Sequence, residues 1–372
     1  MLGRCCPRLQ ELLIPGSELV TDTGLTNLVP GLVTRRQGDW SQHTGCPCLE
    51  TIDLNRCCNV RPAGAKLLLL GLKKLRRLLF SNMKAILNSF LQCKYSGVSP
   101  LEKIEYFEST EFSSCCVYNG SFKWMSVVSR LSFIPKIFPN VTTMKMKLTD
   151  SEVKHLVEVP KLALLELEIQ DDPGKGLQYL LEHHPNIASW HHISMEVGPI
   201  AAEHLMTIAE NCRKLSFLKI KGYRVENCYQ LKPSGKYFRH LSNLSLEFHN
   251  LCDGSHEQYG QQSNRHSPEM IDFFLGSGVS NLRTVDIHMN VSHFLNDIYL
   301  QNLVSRSNIV NLQSLSLTGP EILPLSSDSV DWILNRLQHI HTLSVSKWQI
   351  SHCCLWNMRN HARKHNINIV FT

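Results

Sequence analysis

The chain has 372 residues, 43% of them hydrophobic, with 38 Lys and Arg against 32 Asp and Glu and a net charge of +6 at pH 7. So mild a charge gives no electrostatic case for nucleic acid or a membrane surface as partner. No run approaches about 18 consecutive apolar residues, so no membrane-spanning helix is predicted.

The opening, MLGRCCPRLQ, carries no apolar core of a secretory signal. Fourteen cysteines behind such an opening predict reduced thiols and a cytoplasmic or nuclear chain. At Leu9 a phrase begins that recurs to the far end: an aliphatic, two variable residues, a second aliphatic, one variable residue, a third aliphatic. It reads LQELLI at Leu9, LETIDL at Leu49, LRRLLF at Leu75, LEKIEY at Leu101, VTTMKM at Val141, LALLEL at Leu162 and IASWHH at Ile187. It continues as LSFLKI at Leu215, LSNLSL at Leu241, LRTVDI at Leu282, LQSLSL at Leu312 and IHTLSV at Ile340. The steps from Leu75 to Leu101 and from Leu215 to Leu241 are both 26 residues, and Leu282 to Leu312 is 30. Longer steps contain the polar, Gly-bearing stretches 31–45 and 252–266, predicted as loop insertions.

Alternation along a strand puts the last two aliphatics of each phrase on one face. At Leu215 that turns Leu218 and Ile220 inward and Phe217, Lys219 and Lys221 outward. Polar turns and amphipathic helices follow: TDTGLTNLV from Thr21, TDSEVKHLV from Thr149 and PIAAEHLMTIAENC from Pro199. Thr before Asp suits an N-cap, and Pro199 suits a first helical turn. The basic tail HARKHNINIVFT reads as a last helix and a closing strand at 366–371.

A repeated strand–turn–helix unit cannot bury its apolar face alone, so neighbours must stack. Strands stack about 4.8 Å apart, whereas helices need about 8–10 Å. The prediction is one α/β leucine-rich-repeat solenoid over 1–372, with about twelve repeats. It is a curved horseshoe with parallel strands on the concave face and helices on the convex face.

Three segments add detail: CCPRLQELLIPGSELVTDTGLTNL, CPCLETIDLNRCCNVRPAGAKLLL and NCRKLSFLKI. Cys or Pro before the strand leucine, then T-D-x-G-L into a helix, resembles the cysteine-containing leucine-rich repeats of the F-box family. In that family the repeats select a protein substrate. A separate F-box docks on the Skp adaptor of a cullin-based (SCF) ubiquitin ligase. The resemblance implies the substrate-recognition portion of such a receptor, with no catalysis and no cofactor. Only about eight residues precede the first strand and no F-box is among them. Two readings stay open: a chain shortened at its N-terminus, or a free-standing repeat scaffold unrelated to ubiquitin.

Outward strand positions are the candidate partner site. Stacking sets Lys145 beside Glu166, Lys147 beside Glu168 and Lys221 beside Glu247, with Lys219, Asp286 and His288 further along. Phe107, Phe217 and Trp348 are candidate aromatic anchors. The bland reading is a self-neutralising charge ladder; the functional one is a stripe that reads a protein. The insertion 252–266 is a second candidate. Cys46, Cys48, Cys57 and Cys58 lack the usual paired C-x-x-C spacing of zinc and read as packed turn thiols. The same reading ends a helix at His183 and His184, turns His191 outward and places His192 in the core. His352, Cys353 and Cys354 adjoin one another with nothing to form an oxyanion hole. No phosphate-binding, hydrolase or metalloprotease motif is found.

Overall fold

In the computed structural model the described residues are 5–31, 45–81, 83–92, 103–109, 131, 134–232, 234, 236–249, 267–275, 281–289, 301, 309, 311–318, 334–337, 339–346 and 352–371. The insertions predicted at 31–45 and 252–266 lie outside them, apart from Gly31 and Gly45. The chain divides into two compact units, Met1–Leu167 and Glu168–Thr372.

The first unit carries β1 (Glu11–Leu13), β2 (Thr51–Asp53), β3 (Arg77–Leu79), β4 (Tyr106–Ser109), β5 (Thr143–Leu148) and most of β6 (Leu164–Ile169). Strands β1 to β5 pair in chain order, all parallel. The second unit carries β7 (His192–Ala201), β8 (Phe217–Glu226), β9 (Asn243–Phe248), β10 (Thr284–Met289), β11 (Ser314–Thr318), β12 (Thr342–Ser346) and β13 (Asn368–Phe371). These too are parallel and in chain order. Each unit is therefore an α/β leucine-rich-repeat solenoid. The phrase's aliphatics form its spine: Ile52, Leu78 and Met144 in the first unit, Ile193, Leu218, Leu244 and Val285 in the second, all buried.

Two backbone devices repeat with the phrase. A short turn leads into the strand: the amide of Leu49 donates to Cys46 O at 3.1 Å, that of Leu215 to Cys212 O at 3.2 Å and that of Leu241 to Phe238 O at 2.9 Å. The residue accepting this bond is apolar and packed, which explains the cysteines placed before strands. Cys46 and Cys212 are buried, and Leu72, Phe138, Val159 and Leu337 fill the same position elsewhere. One carbonyl per repeat then accepts two amides from the next strand. Glu50 O takes Arg76 N at 2.8 Å and Arg77 N at 3.0 Å, and Ser242 O takes Arg283 N at 2.8 Å and Thr284 N at 3.0 Å.

Helices return the chain. Asp22–Thr26 starts from Thr21, whose Oγ1 accepts from Gly24 N at 3.3 Å. Asp150–Val153 starts from Thr149, whose amide donates to Glu152 at 2.9 Å. Both caps stand where the sequence predicts them. The helix Pro62–Gly71 packs on Asp22–Thr26 and on Met83–Gln92, and in the second unit Lys175–His183 packs on Ala202–Asn211. Gly64 and Gly71, two turns apart, face the Asp22 and Val29 side chains so closely that neither has room for a Cβ.

Two copies of the phrase stand three residues from their predicted places. Trp190, not Ile187, makes the turn bond before β7, its amide donating to Ile187 O at 3.0 Å. Ile193 and Met195 then point inward, and His192 pairs in register with Phe217 on the outward side. Likewise β4 begins at Tyr106, and Phe107 pairs in register with Met144, so the strand stands three residues later than predicted. The cause is a degeneracy of spacing. The apolar turn residue stands three before the phrase, as the first aliphatic stands three before the second. L-x-x-L fits both frames, and only the closing aliphatic separates them.

Two boundaries also move. Strands β7 and β8 run for 10 residues each, so Pro199 lies inside β7 and the helix starts at Ala202. Its fixed φ of about −65° suits extended backbone as well as a helix start. The closing strand begins at Asn368, because Asn366 turns the chain with a φ of +54°.

Replacing Gly71 by Ala sets the two effects of glycine against each other. Helix propensity gains at most about 1 kcal/mol, less at a helix end, whereas crowding the stiff, buried Val29 costs about 1–3 kcal/mol. Urea unfolding of Gly71→Ala should show a net loss of roughly 1–2 kcal/mol; a more stable variant contradicts the close helix contact.

Candidate functional site

Strand alternation and register assemble the outward face row by row. In the first unit, Ala163 and Leu164 both donate to Thr142 O, at 2.8 and 3.0 Å, which sets β6 beside β5. Lys145 Nζ lies 3.9 Å from Glu166, the pair predicted from the sequence. Lys147 is half-buried on the same row of β5, and Glu168 belongs to the second unit. A further ion-pair group was not predicted. Arg76 reaches Glu50 at 3.9 Å and Glu105 at 3.5 Å across three consecutive repeats, while the Arg77 guanidinium lies 4.2 Å from the Tyr106 ring centroid.

The second unit offers a wider face. Its first row begins His192–Phe217–Asn243, its second Ser194–Lys219–Ser245–Asp286 and its third Glu196–Lys221–Glu247–His288. Lys221 Nζ sits between Glu196 at 3.3 Å and Glu247 at 4.0 Å. The hydrogen bond to Glu196, then the charge of Glu247, hold its ammonium above the ordinary lysine range. Glu247 was predicted as a partner; Glu196 was missed, because the misplaced frame at Ile187 put the strand three residues too early. Exposed pairs of this kind contribute about 0–1 kcal/mol each, so they set charge pattern more than stability.

Lys219 differs from Lys221. It is exposed, its register neighbours are Ser194 and Ser245, and among the described residues no carboxylate pairs with it. Beside it the His192 and Phe217 rings stack face to face, with centroids 4.1 Å apart and planes 2° from parallel. Asp286 accepts from Ser245 Oγ at 3.4 Å, and His288 is half-buried at the end of the third row. Beyond them the described outward side chains of β11 and β12 are all hydroxyls: Ser314, Ser316 and Thr318, then Thr342 and Ser344. Trp348 and the stretch 252–266 lie outside the described residues.

Among the described residues, His183 and His184 pack against separate aromatic rings. The His183 ring stacks on Tyr179 at 4.3 Å, and buried His184 packs edge-on against Trp190 at 4.8 Å. His192 turns outward with the shifted frame, and the third-aliphatic core place predicted for it is filled by Met195, which pairs with Ile220. The cysteines serve packing and turns. Cys57 Sγ donates to Ile14 O at 3.2 Å, and Cys46 Sγ to Cys6 O at 3.5 Å. Burial, then the neighbouring Cys6, pushes the Cys46 thiol up, and burial pushes Cys212 up to about 12. Among the described residues no group of three or more His, Cys, Asp or Glu is placed to hold a metal ion. Nor is any described helix long and apolar enough to cross a membrane.

No protein-family model matches the chain, and no curated relative does. Solved structures show distant likeness. An internalin from Listeria monocytogenes shares 17% identity over 94% of this chain and 88% of its own, with a TM-score of 0.45. The Rad7 and Elc1 complex in yeast contains a chain 11% identical over 93% of this chain and 78% of its own, TM-score 0.48. A leucine-rich-repeat protein of Leptospira interrogans shares 12% identity over 98% of this chain and 90% of its own, TM-score 0.34. At these identities and scores the likenesses say nothing of activity or partner.

A thiol pushed up to about 12 stays protonated, hence unreactive, at pH 8. Alkylation at that pH, followed by peptide mapping, should label exposed Cys5, Cys58 and Cys353 first and leave Cys212 unlabelled until denaturant is added. Early labelling of Cys212 contradicts the packed turn.

Proposed function

We propose that this chain is a protein-binding module, acting over 1–372 as one array of repeats. More specifically, it is the substrate-recognition portion of an F-box-type ubiquitin ligase receptor. The observation that carries the binding role is the exposed Lys219, with no carboxylate partner among the described residues, beside the stacked His192 and Phe217. An aromatic platform beside an exposed cation on a paired sheet suits a hot spot of protein recognition. The surrounding ion pairs and hydroxyls form a polar rim. The receptor role draws support from the cysteines at the turn before strands, Cys6, Cys46 and Cys212, the feature that resembles F-box-family repeats. Such a module performs no chemistry; it raises the substrate's effective concentration near the transferase.

Affinity capture from cell extract with quantitative mass spectrometry tests both levels. Phe217→Ala combined with Lys219→Glu should lower partner recovery about tenfold or more, the loss typical of a hot spot. Unchanged recovery removes the face from the binding role. Co-purification of the Skp adaptor with a chain carrying an F-box supports the receptor. Retained partner without the adaptor replaces it with a free-standing scaffold.

A further inference from the structure

A second surface of the second unit lies at the N-terminal edge of its strands. The residue just before each strand is fixed by the backbone ladder. Ser242 N donates to Ser216 O, Arg283 N to Ser242 O, Gln313 N to Arg283 O and His341 N to Gln313 O, each at 2.8 Å. These side chains thus stand in a row at steps of about 4.8 Å. Behind them run the residues of the preceding turns: Arg213 and Lys214, Arg239 and His240, Asn281, Asn311 and His339. Two clefts of about 260 and 500 Å³ open along this edge, and both include Asn281, Arg283 and Gln313 in their walls. His339 and His341 close one end, His240 and Asn243 the other.

The charge here is mostly positive: in the adjoining cleft that holds Arg213 and Arg239, Glu210 is the one acid among the lining residues, and it accepts from Tyr237 Oη at 3.1 Å. Arg213, Lys214, Arg239 and Arg283 are exposed and, among the described residues, make no ion pair. No Asp or Glu occurs among the described residues of these turns from Cys212 to Ser216, Lys236 to Ser242, Asn281 to Arg283, Asn311 to Gln313 and His339 to His341. On the outward face, by contrast, Lys145 and Lys221 are each met by Glu. Unneutralised like charge does not help the fold, so packing does not account for the pattern.

We propose that this edge binds an acidic, extended segment of a protein partner. The inference rests on the protein-binding reading for its class of partner, but it uses a different surface. Five strands at about 4.8 Å span roughly 19 Å, the length of about six extended residues. The side-chain amides of Asn243, Asn281, Asn311 and Gln313 can both donate to and accept from a peptide main chain. Among the cations, Arg239 and Arg283 present the planar fork suited to carboxylates. Nucleic acid fits less well, because no Phe, Tyr or Trp lines either cleft and bases would find no aromatic stacking platform.

The test is fluorescence anisotropy on the full chain with a labelled peptide of alternating Glu and Gly at low salt. The wild-type chain should bind it, and raising the salt should release it. Arg239→Glu with Arg283→Glu should weaken binding at least tenfold at an unchanged melting temperature. Lys175→Glu, the same charge change at an exposed position of the helix Lys175–His183, should leave peptide binding within twofold. If the double Glu variant loses stability, Arg239→Gln with Arg283→Gln serves in its place. No binding, or equal binding by wild type and double variant, overturns the inference. So does a labelled oligothymidylate that binds more tightly than the peptide and is lost in the same variant. Should partner capture depend on Phe217 and Lys219 while the peptide ignores both arginines, the edge fails alone. Should the peptide result hold while capture ignores Phe217 and Lys219, the outward face fails and the edge stands.

Discussion

In ten of the described repeats one carbonyl accepts two amides from the next strand, and the rest of the structure depends on that contact. In the first unit it recurs at Gln10, Glu50, Arg76, Glu105 and Thr142, and in the second at His191, Ser216, Ser242, Arg283 and Gln313. The acceptor belongs to a residue whose side chain is free to vary, so chemistry can change along the array while the backbone does not. Buried backbone groups must be paired, and this bond pairs them at the point where the tight turn becomes a strand. Once it is made, alternation fixes which side chains enter the spine and which face out.

From that constraint the two candidate surfaces follow. The outward rows collect residues two positions apart on one strand and directly opposite on the next. That is how Glu196, Lys221 and Glu247 meet, and why Lys219, one row away, has serines and no carboxylate as its register neighbours. The N-terminal edge collects residues from successive turns, and among the described residues its arginines make no ion pair. A rigid ladder presents both surfaces without rearrangement, which lowers the ordering cost of association. The buried thiols belong to the scaffold: Cys46 and Cys212 hold the turn before the ladder and are kept protonated by burial.

Much of this is legible in the chain itself. The aliphatics of LSFLKI and LSNLSL sit in the spine as periodicity predicts, and Thr21 and Thr149 cap their helices. Pairings such as Lys221 with Glu247 follow from laying one phrase over the next. The misses have a common physical origin. The turn residue and the phrase share a spacing of three, so the sequence pattern begins the phrase at Ile187 and Leu101, whereas the structure begins it at Trp190 and Ile104. With them went the places of His192, Phe107 and Glu196. The edge arginines are plain in the sequence but separated by insertions of unequal length. Only the register shows that Arg239 and Arg283 stand on neighbouring repeats.

Amide hydrogen exchange tests the ladder most directly. If one carbonyl per repeat holds the next strand, the amides of Ser216, Ser242, Arg283, Gln313 and His341 exchange slowly and as a group, although their side chains are exposed or half-buried. Exchange of these amides at the rate of open turns, with protection confined to the helices, would contradict a parallel stack of strands as the frame for either surface.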